Sequence, residues 1–147
     1  MRNVQQLLQQ KGRDVWTIPP EASVLDALRR LADKDIGAMP VVDGDRLVGM
    51  FSERDYARKL ILANKRSYET RVAEVMTAAP ITIGLGATVD ACMATMTDAR
   101  VRHLPVVEDG RLIGVISIGD VVKSIISAQA ETINHLETYI NGATPFG

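Results

Sequence analysis

Displaced by 65 residues, this sequence lies on itself without a gap from Thr17 to Leu60. Thr17-Ile18 falls on Thr82-Ile83, Ala22 and Val24 on Ala87 and Val89, and Pro40-Val41-Val42 on Pro105-Val106-Val107. Arg46-Leu47-Val48-Gly49 falls on Arg111-Leu112-Ile113-Gly114, and Ser52 and Asp55 fall on Ser117 and Asp120. A register held over that length marks a duplication: two copies of one supersecondary unit, each unable to bury its apolar face alone. A fainter echo precedes each copy, with Val4, Leu7 and Leu8 spaced like Val72, Val75 and Met76. The expected division is residues 1–70 for the first repeat, with an N-terminal helix and a linker, and 71–147 for the second, with a C-terminal helix and tail.

Each copy reads as β-α-β-β-α, an α/β (α+β) fold of two repeats. A short strand is expected near Val15 to Ile18. Ser23 opens a helix with Val24, Ala27, Leu28 and Leu31 at helical spacing, and Ser23 with Asp26 has the form of a capping box. Met39 to Val42 is a strand, Asp43-Gly44 a hairpin signal, and Leu47 to Phe51 the returning strand. A further helix after Ser52 carries Tyr56, Leu60 and Ile61. The second copy repeats this with a strand at 81–83, a helix from Thr88, strands at 104–107 and 111–116, a turn at Asp109-Gly110 and a helix after Ser117. That last helix is expected to reach Ile140, with an apolar stripe through Val121, Val122, Ile125, Ile126, Ile133, Leu136 and Ile140. The stripe packs either on the chain's own core or on a second subunit. Asn64 to Thr70 is a polar linker, and 142–147 reads as a tail.

Composition narrows the function. With 147 residues, 46% of them hydrophobic and 24% charged, the chain can bury a sizeable core. A formal net charge of −1 gives no electrostatic footprint for nucleic acid. The single cysteine, Cys92, excludes an intramolecular disulfide and falls on the apolar face of a helix, with Met93 and Met96. Met1 to Gln10 is too polar for a secretion signal, and no run approaches the roughly 20 apolar residues of a membrane span. A cytoplasmic, reducing location is expected.

The chemistry concentrates where each copy places Gly-h-h-Ser-x-x-Asp, with h apolar, at a strand-to-helix junction: Gly49 to Asp55 and Gly114 to Asp120. The first amides of a helix point outward without partners and favour anions. A serine hydroxyl there can hold a phosphate oxygen, and a carboxylate three residues on can accept both hydroxyls of a ribose. Gly49 and Gly114 let the backbone approach a neighbour closely. Ser-x-x-Asp is also a plain helix cap, but its repetition after two Pro-Val-Val strands favours a functional pair.

The segments Ile36 to Asp43 and Leu47 to Asp55, with Val101 to Glu108 and Leu112 to Asp120, resemble a tandem pair of cystathionine-β-synthase (CBS) domains, most similar to short bacterial proteins made of little else. The resemblance runs from about Val4 to Ile125. It implies two repeats packed through their sheets by pseudo-twofold symmetry into a Bateman module, with inter-repeat clefts for AMP, ADP, ATP, NAD(H) or S-adenosylmethionine. Carried onto this sequence, the ribose carboxylates are Asp55 and Asp120, beside Ser52 and Ser117. Adenine contacts fall at Thr17, Ile18, Thr82 and Ile83, and at Ala38-Met39-Pro40 and His103-Leu104-Pro105. Arg54, Arg102 and His103 are candidate phosphate contacts, with His103 expected to charge near about pH 6.5. Gly37-Ala38 stands where the second copy has Arg102-His103, so the clefts are expected to differ. Trp16 is assigned to apolar packing, with adenine stacking as the alternative, and His135 to the surface.

No nucleophile–base–orienter set, metal-ligand spacing or phosphate-binding glycine loop is present. The expectation is a non-enzymatic sensor of adenine nucleotides without catalytic cofactor or metal. It would act as a homodimer on an effector protein, with no nucleic-acid or membrane partner. The alternative is a dimerisation scaffold that has no ligand.

Overall fold

The computed structural model describes residues 2–143. Helix α1 is Val4–Lys11, closed at its start by a capping box between Asn3 and Gln6. Helix α2 is Val24–Lys34. Strands β1, Ala38–Asp43, and β2, Arg46–Ser52, form an antiparallel hairpin. The one-turn helix α3, Glu53–Asp55, runs straight into a π-helical turn, Tyr56–Ile61. Then come α4, Val72–Val75, and the two-residue β3, Thr77–Ala78. The second copy supplies α5, Val89–Ala99, the hairpin β4, His103–Glu108, with β5, Arg111–Ser117, and the long α6, Ile118–Ala143. Helix α6 therefore includes 142–143 of the expected tail; 144–147 lie outside the described residues.

The duplication is visible in detail. Ala38 faces Ser52 and His103 faces Ser117 at the heads of the two hairpins. Each ladder shifts register after the same position, between Val41 and Val42 and between Val106 and Val107. Helices α2 and α5 start at Ser23 and Thr88, whose side chains accept from the amides three residues on, and end at Asp35 and Arg100, both left-handed. At α2 only half of the expected box forms: Ser23 accepts from the Asp26 amide, while the Asp26 carboxylate lies 3.7 Å from Arg29.

Three expectations need correction. The strands near 15–18 and 81–83 shrink to single parallel bridges, Ile18 with Val41 and Ile83 with Val106. The first hairpin turns at Gly44-Asp45, because Asp43 still pairs with Arg46; Gly44 takes φ +68, whereas in the second turn Asp109 and Gly110 take +52 and +79. Trp16 is 47% exposed and lies under the Lys34 ammonium, 4.0 Å from its ring centre, so cation–π contact replaces apolar packing.

Two apolar cores form, and each borrows across the chain. Leu31, Met39, Val41 and Phe51 of the first repeat close over Val72 and Val75 of α4. Cys92, Met96, Leu104 and Ile116 of the second close over Val4, Leu7 and Leu8 of α1. Burial raises the Cys92 thiol pKa above its ordinary value, which keeps it protonated. The hairpins meet at their turn ends, where Arg46 of β2 pairs with Arg111 of β5 and the Leu112 amide reaches the Asp45 carbonyl at 3.4 Å.

The glycines of the repeated motif mark where the borrowed helices press on the sheet. A Cβ on Gly49 would lie 2.5 Å from Met76 Sδ and 3.0 Å from the Thr77 carbonyl oxygen. One on Gly114 would lie 3.0 and 3.3 Å from the two methyl carbons of Leu8. The expected close neighbour exists in both copies, and it is the paired residue of the fainter echo.

Candidate functional site

Both Ser-x-x-Asp motifs sit where a strand hands over to a helix. In the first, Ser52 Oγ accepts from the Asp55 amide at 3.1 Å and donates to Asp55 Oδ2 at 3.0 Å. The same carboxylate oxygen accepts from the Ser52 amide at 3.0 Å. Asp55 Oδ1 takes Thr77 Oγ1 at 3.2 Å and the Lys59 ammonium at 3.1 Å. Asp55 is 7% exposed. Its carboxylate is thus filled by its own motif, by β3 and by the π-helical turn.

The second motif keeps capacity. Ser117 Oγ accepts from the Asp120 amide at 3.1 Å, and its hydroxyl lies close enough to the Asp120 carboxylate to help lower its pKa. Asp120 Oδ2 accepts from the Ser117 amide at 2.8 Å and from Lys11 Nζ at 2.5 Å. Asp120 Oδ1 has no donor among the described residues. Lys11 is anchored by a second bond to the Val115 carbonyl at 2.7 Å. It arrives from α1, 109 positions away in sequence. Burial alone would raise the Asp120 pKa, but the Lys11 ammonium and the amide and hydroxyl of Ser117 outweigh it and hold the carboxyl below its ordinary value.

A cleft of about 350 Å³ opens at this point, lined by Leu7, Gln10, Lys11, Asp120, Lys123 and Ser127, among others. His103 is half-buried, across the ladder from Ser117, and feels the charges of Lys11 and Asp120. Burial pushes its pKa below the usual imidazole value; Lys11 and Arg102 push the same way, and Asp120 opposes them. The expectation that His103 charges near about pH 6.5 is therefore corrected: it stays neutral to lower pH.

The repeats approach one another at the cleft heads. A Cβ on Gly37 would lie 3.9 Å from Glu53 Oε1 and 4.0 Å from His103 Cε1. Arg54 Nη1 reaches the Arg100 carbonyl at 3.5 Å. Arg102 is exposed, and its carbonyl accepts from the Ile118 amide at 2.8 Å.

Other predicted contacts are placed elsewhere. Met39 and Leu104 are core side chains with no exposure, and Pro40 and Pro105 are buried with them. The Ile18 and Ile83 amides donate to the Pro40 and Pro105 carbonyls, and their own carbonyls accept from Val42 and Val107. Their backbone groups are thus engaged within the fold. Ala38 is buried and Thr82 exposed; the Thr17 carbonyl accepts from Arg30. Sequence reasoning missed Lys11, Lys59, Thr77 and Lys123. Lys59 was accessible, because it stands four residues after Asp55 on one helix face; Lys11 and Thr77 carry no local signal. Among the described residues, no cluster of three or more His, Cys, Asp and Glu side chains could hold a metal ion, and no helix is long and apolar enough to cross a membrane.

The model of the CBS domain family matches the chain twice, over residues 11–62 and 72–127. The chain belongs to the CBS-domain family. The mitochondrial CBS domain-containing protein CBSX3 of Arabidopsis thaliana is 36% identical over 136 residues, which cover 89% of this chain and 66% of that one. This CBS pair therefore spans just under two thirds of that relative. A CBS-domain protein of Burkholderia ambifaria MC40-6 superposes with a TM-score of 0.82 at 48% identity, covering 86% of this chain and 96% of its own. CBSX2, solved in complex with AMP, superposes at 0.72 with 28% identity, over 88% and 99% of the two chains. The CBS pair of MJ0100, solved with 5′-methylthioadenosine and S-adenosylmethionine, superposes at 0.77 with 25% identity, over 87% and 98%.

Proposed function

We propose that this CBS pair is a non-catalytic regulatory module that binds an adenine nucleotide, AMP, ADP, ATP or NAD(H), chiefly in the cleft at Ser117 and Asp120. One observation carries the reading: at the head of α6 Asp120 keeps a carboxylate oxygen without a donor among the described residues, in a cleft whose lining also carries Lys11 and Lys123. A carboxylate oxygen suits a ribose hydroxyl, and ammonium groups beside a helix start suit phosphate. The adenosine ligands of CBSX2 and the MJ0100 pair support the adenine class. The cationic lining favours a phosphorylated ligand over S-adenosylmethionine, whose sulfonium would meet like charge. The first cleft is the weaker site in this reading, because Asp55 is already filled. Output passes to an effector protein, and the reading includes a homodimer.

The test is calorimetric titration of wild type, Asp55→Ala and Asp120→Ala with AMP, 2′-deoxy-AMP, adenosine and S-adenosylmethionine. A hydrogen bond to a charged group is worth roughly 1.5–3 kcal/mol. Asp120→Ala should therefore weaken AMP about tenfold to a hundredfold, the deoxy form should bind less well than AMP, and Asp55→Ala should change the tighter site little. Unchanged AMP affinity in Asp120→Ala would overturn the ribose assignment.

A further inference from the structure

Helix α6 carries a second pattern that the body of the protein leaves exposed, although Gln129 and Ile133 also edge a groove beside Arg2, Val89 and Asp90. Val122, Ile126, Gln129, Ile133, Leu136 and Ile140 alternate in steps of four and three, the spacing of d and a positions in a heptad. All six are exposed, Ile126 by 58% and Ile140 by 61%. The flanking face, with Val121 and Ser124 buried and Ile125 packed beside them, is the one that docks on the second core. Every residue from Glu131 to Ile140 is exposed. That stretch has no core of its own, and a helix of such length is marginal in water by itself.

We propose that this stripe is covered by the same stripe of a second copy of the chain, as an antiparallel two-helix coiled coil. Charge complementarity selects both the occupant and its direction. With Val122 at d, the e positions are Lys123, Ala130 and Glu137. Antiparallel helices set e against e, so Lys123 faces the partner's Glu137, and Glu137 faces the partner's Lys123, with Ala130 near the twofold axis. The g position Tyr139, 74% exposed in the single chain, then falls beside the partner's Ile125, whose inner side packs on the second core. Parallel helices would instead set e against g, leaving Lys123 opposite an isoleucine and Glu137 opposite a threonine, with no ion pair. The one polar seam residue, Gln129, lies about 6 Å along the axis from its counterpart, close enough for the two amides to meet. A lone polar pair in an apolar seam fixes register.

Sedimentation equilibrium of the full chain without nucleotide tests this. Wild type should be dimeric at tens of micromolar, and Leu136→Asp monomeric with its far-ultraviolet dichroism retained. Lys123→Glu and Glu137→Lys should each weaken the dimer about tenfold, since each turns two attractive pairs into repulsive ones. The double exchange K123E/E137K should restore it. A monomeric wild type, a dimeric Leu136→Asp, or a double exchange no tighter than the single ones would overturn the proposal. Both charged positions are exposed, so the exchange remains decisive if Leu136→Asp does not fold.

Discussion

His103 and Ala38 occupy equivalent places at the heads of β4 and β1, and only the second copy puts a titratable group there. Its consequence follows from burial, which leads the causes that lower the imidazole pKa. The folded protein binds fewer protons at this site than the unfolded chain. Its contribution to stability is complete above the unfolded value of about 6.5 and is lost as pH falls below it, because only the unfolded imidazole gains the proton. Asp120 has the same sign in a lower window: its stabilisation holds above about pH 3.9 and goes as pH falls through the depressed folded value. Urea midpoints should therefore drop between pH 7.5 and 5.5 in wild type and drop less in His103→Gln. Parallel losses in the two proteins would remove His103 as the cause.

Among the elements, α1 and α4 do what neither periodicity nor propensity announces. Each is short, and each presses one large side chain onto a glycine of the repeated motif: Leu8 on Gly114 and Met76, just after α4, on Gly49. The two contacts differ in what can yield. At Gly114 every close atom belongs to the Leu8 side chain, whereas at Gly49 the Thr77 carbonyl is also 3.0 Å away. Overpacking costs about 1–3 kcal/mol, so Gly114→Ala should destabilise by that amount in wild type and by almost nothing in a Leu8→Ala background. Leu8→Ala itself should cost about 2–5 kcal/mol. Chemical denaturation of the four proteins of this cycle measures the coupling. Additive losses would mean that α1 does not set the space above Gly114. Gly49→Ala has no equivalent rescue, because the Thr77 carbonyl belongs to the backbone.

At the scale of the molecule, two cores raise the question of whether the halves unfold separately. The direct link between the hairpins is slight: one ladder pair at Arg46 and Arg111, a long bond from the Leu112 amide to the Asp45 carbonyl, and an ion pair of Asp45 with Arg111 at 3.2 Å between two exposed side chains. The crossing segments bind them more strongly. The Val4 amide donates to the Ala87 carbonyl and the Val89 amide to that of Arg2, while Val24 and Val72 donate to Thr70 and Ala22. Each core thus needs apolar residues from across the chain, Val4 to Leu8 for the second and Val72 and Val75 for the first. A single calorimetric transition, with calorimetric and van't Hoff enthalpies equal, is expected for the nucleotide-free protein at fixed concentration. Two resolved transitions would show that the crossing does not couple the cores.

The sequence alone determined the duplication, the order of the hairpin strands and of the helices around them, the cap at Ser23, and the position of both Ser-x-x-Asp motifs. These depend on residues a few places apart, and spacing records them directly. It also located Gly49 and Gly114 as points of close approach. The tertiary structure decided which atoms approach, and it separated the two motifs. Lys59 and Thr77 fill Asp55, while Lys11 takes one oxygen of Asp120 and leaves the other open. The short strands before α2 and α5 reduced to bridges because Ile18 and Ile83 each bond to their strand on both sides of one residue and no further. Both outcomes have one physical cause. A contact between residues 11 and 120 carries no local period, and exists only because α1 crosses to a core that its own repeat does not contain.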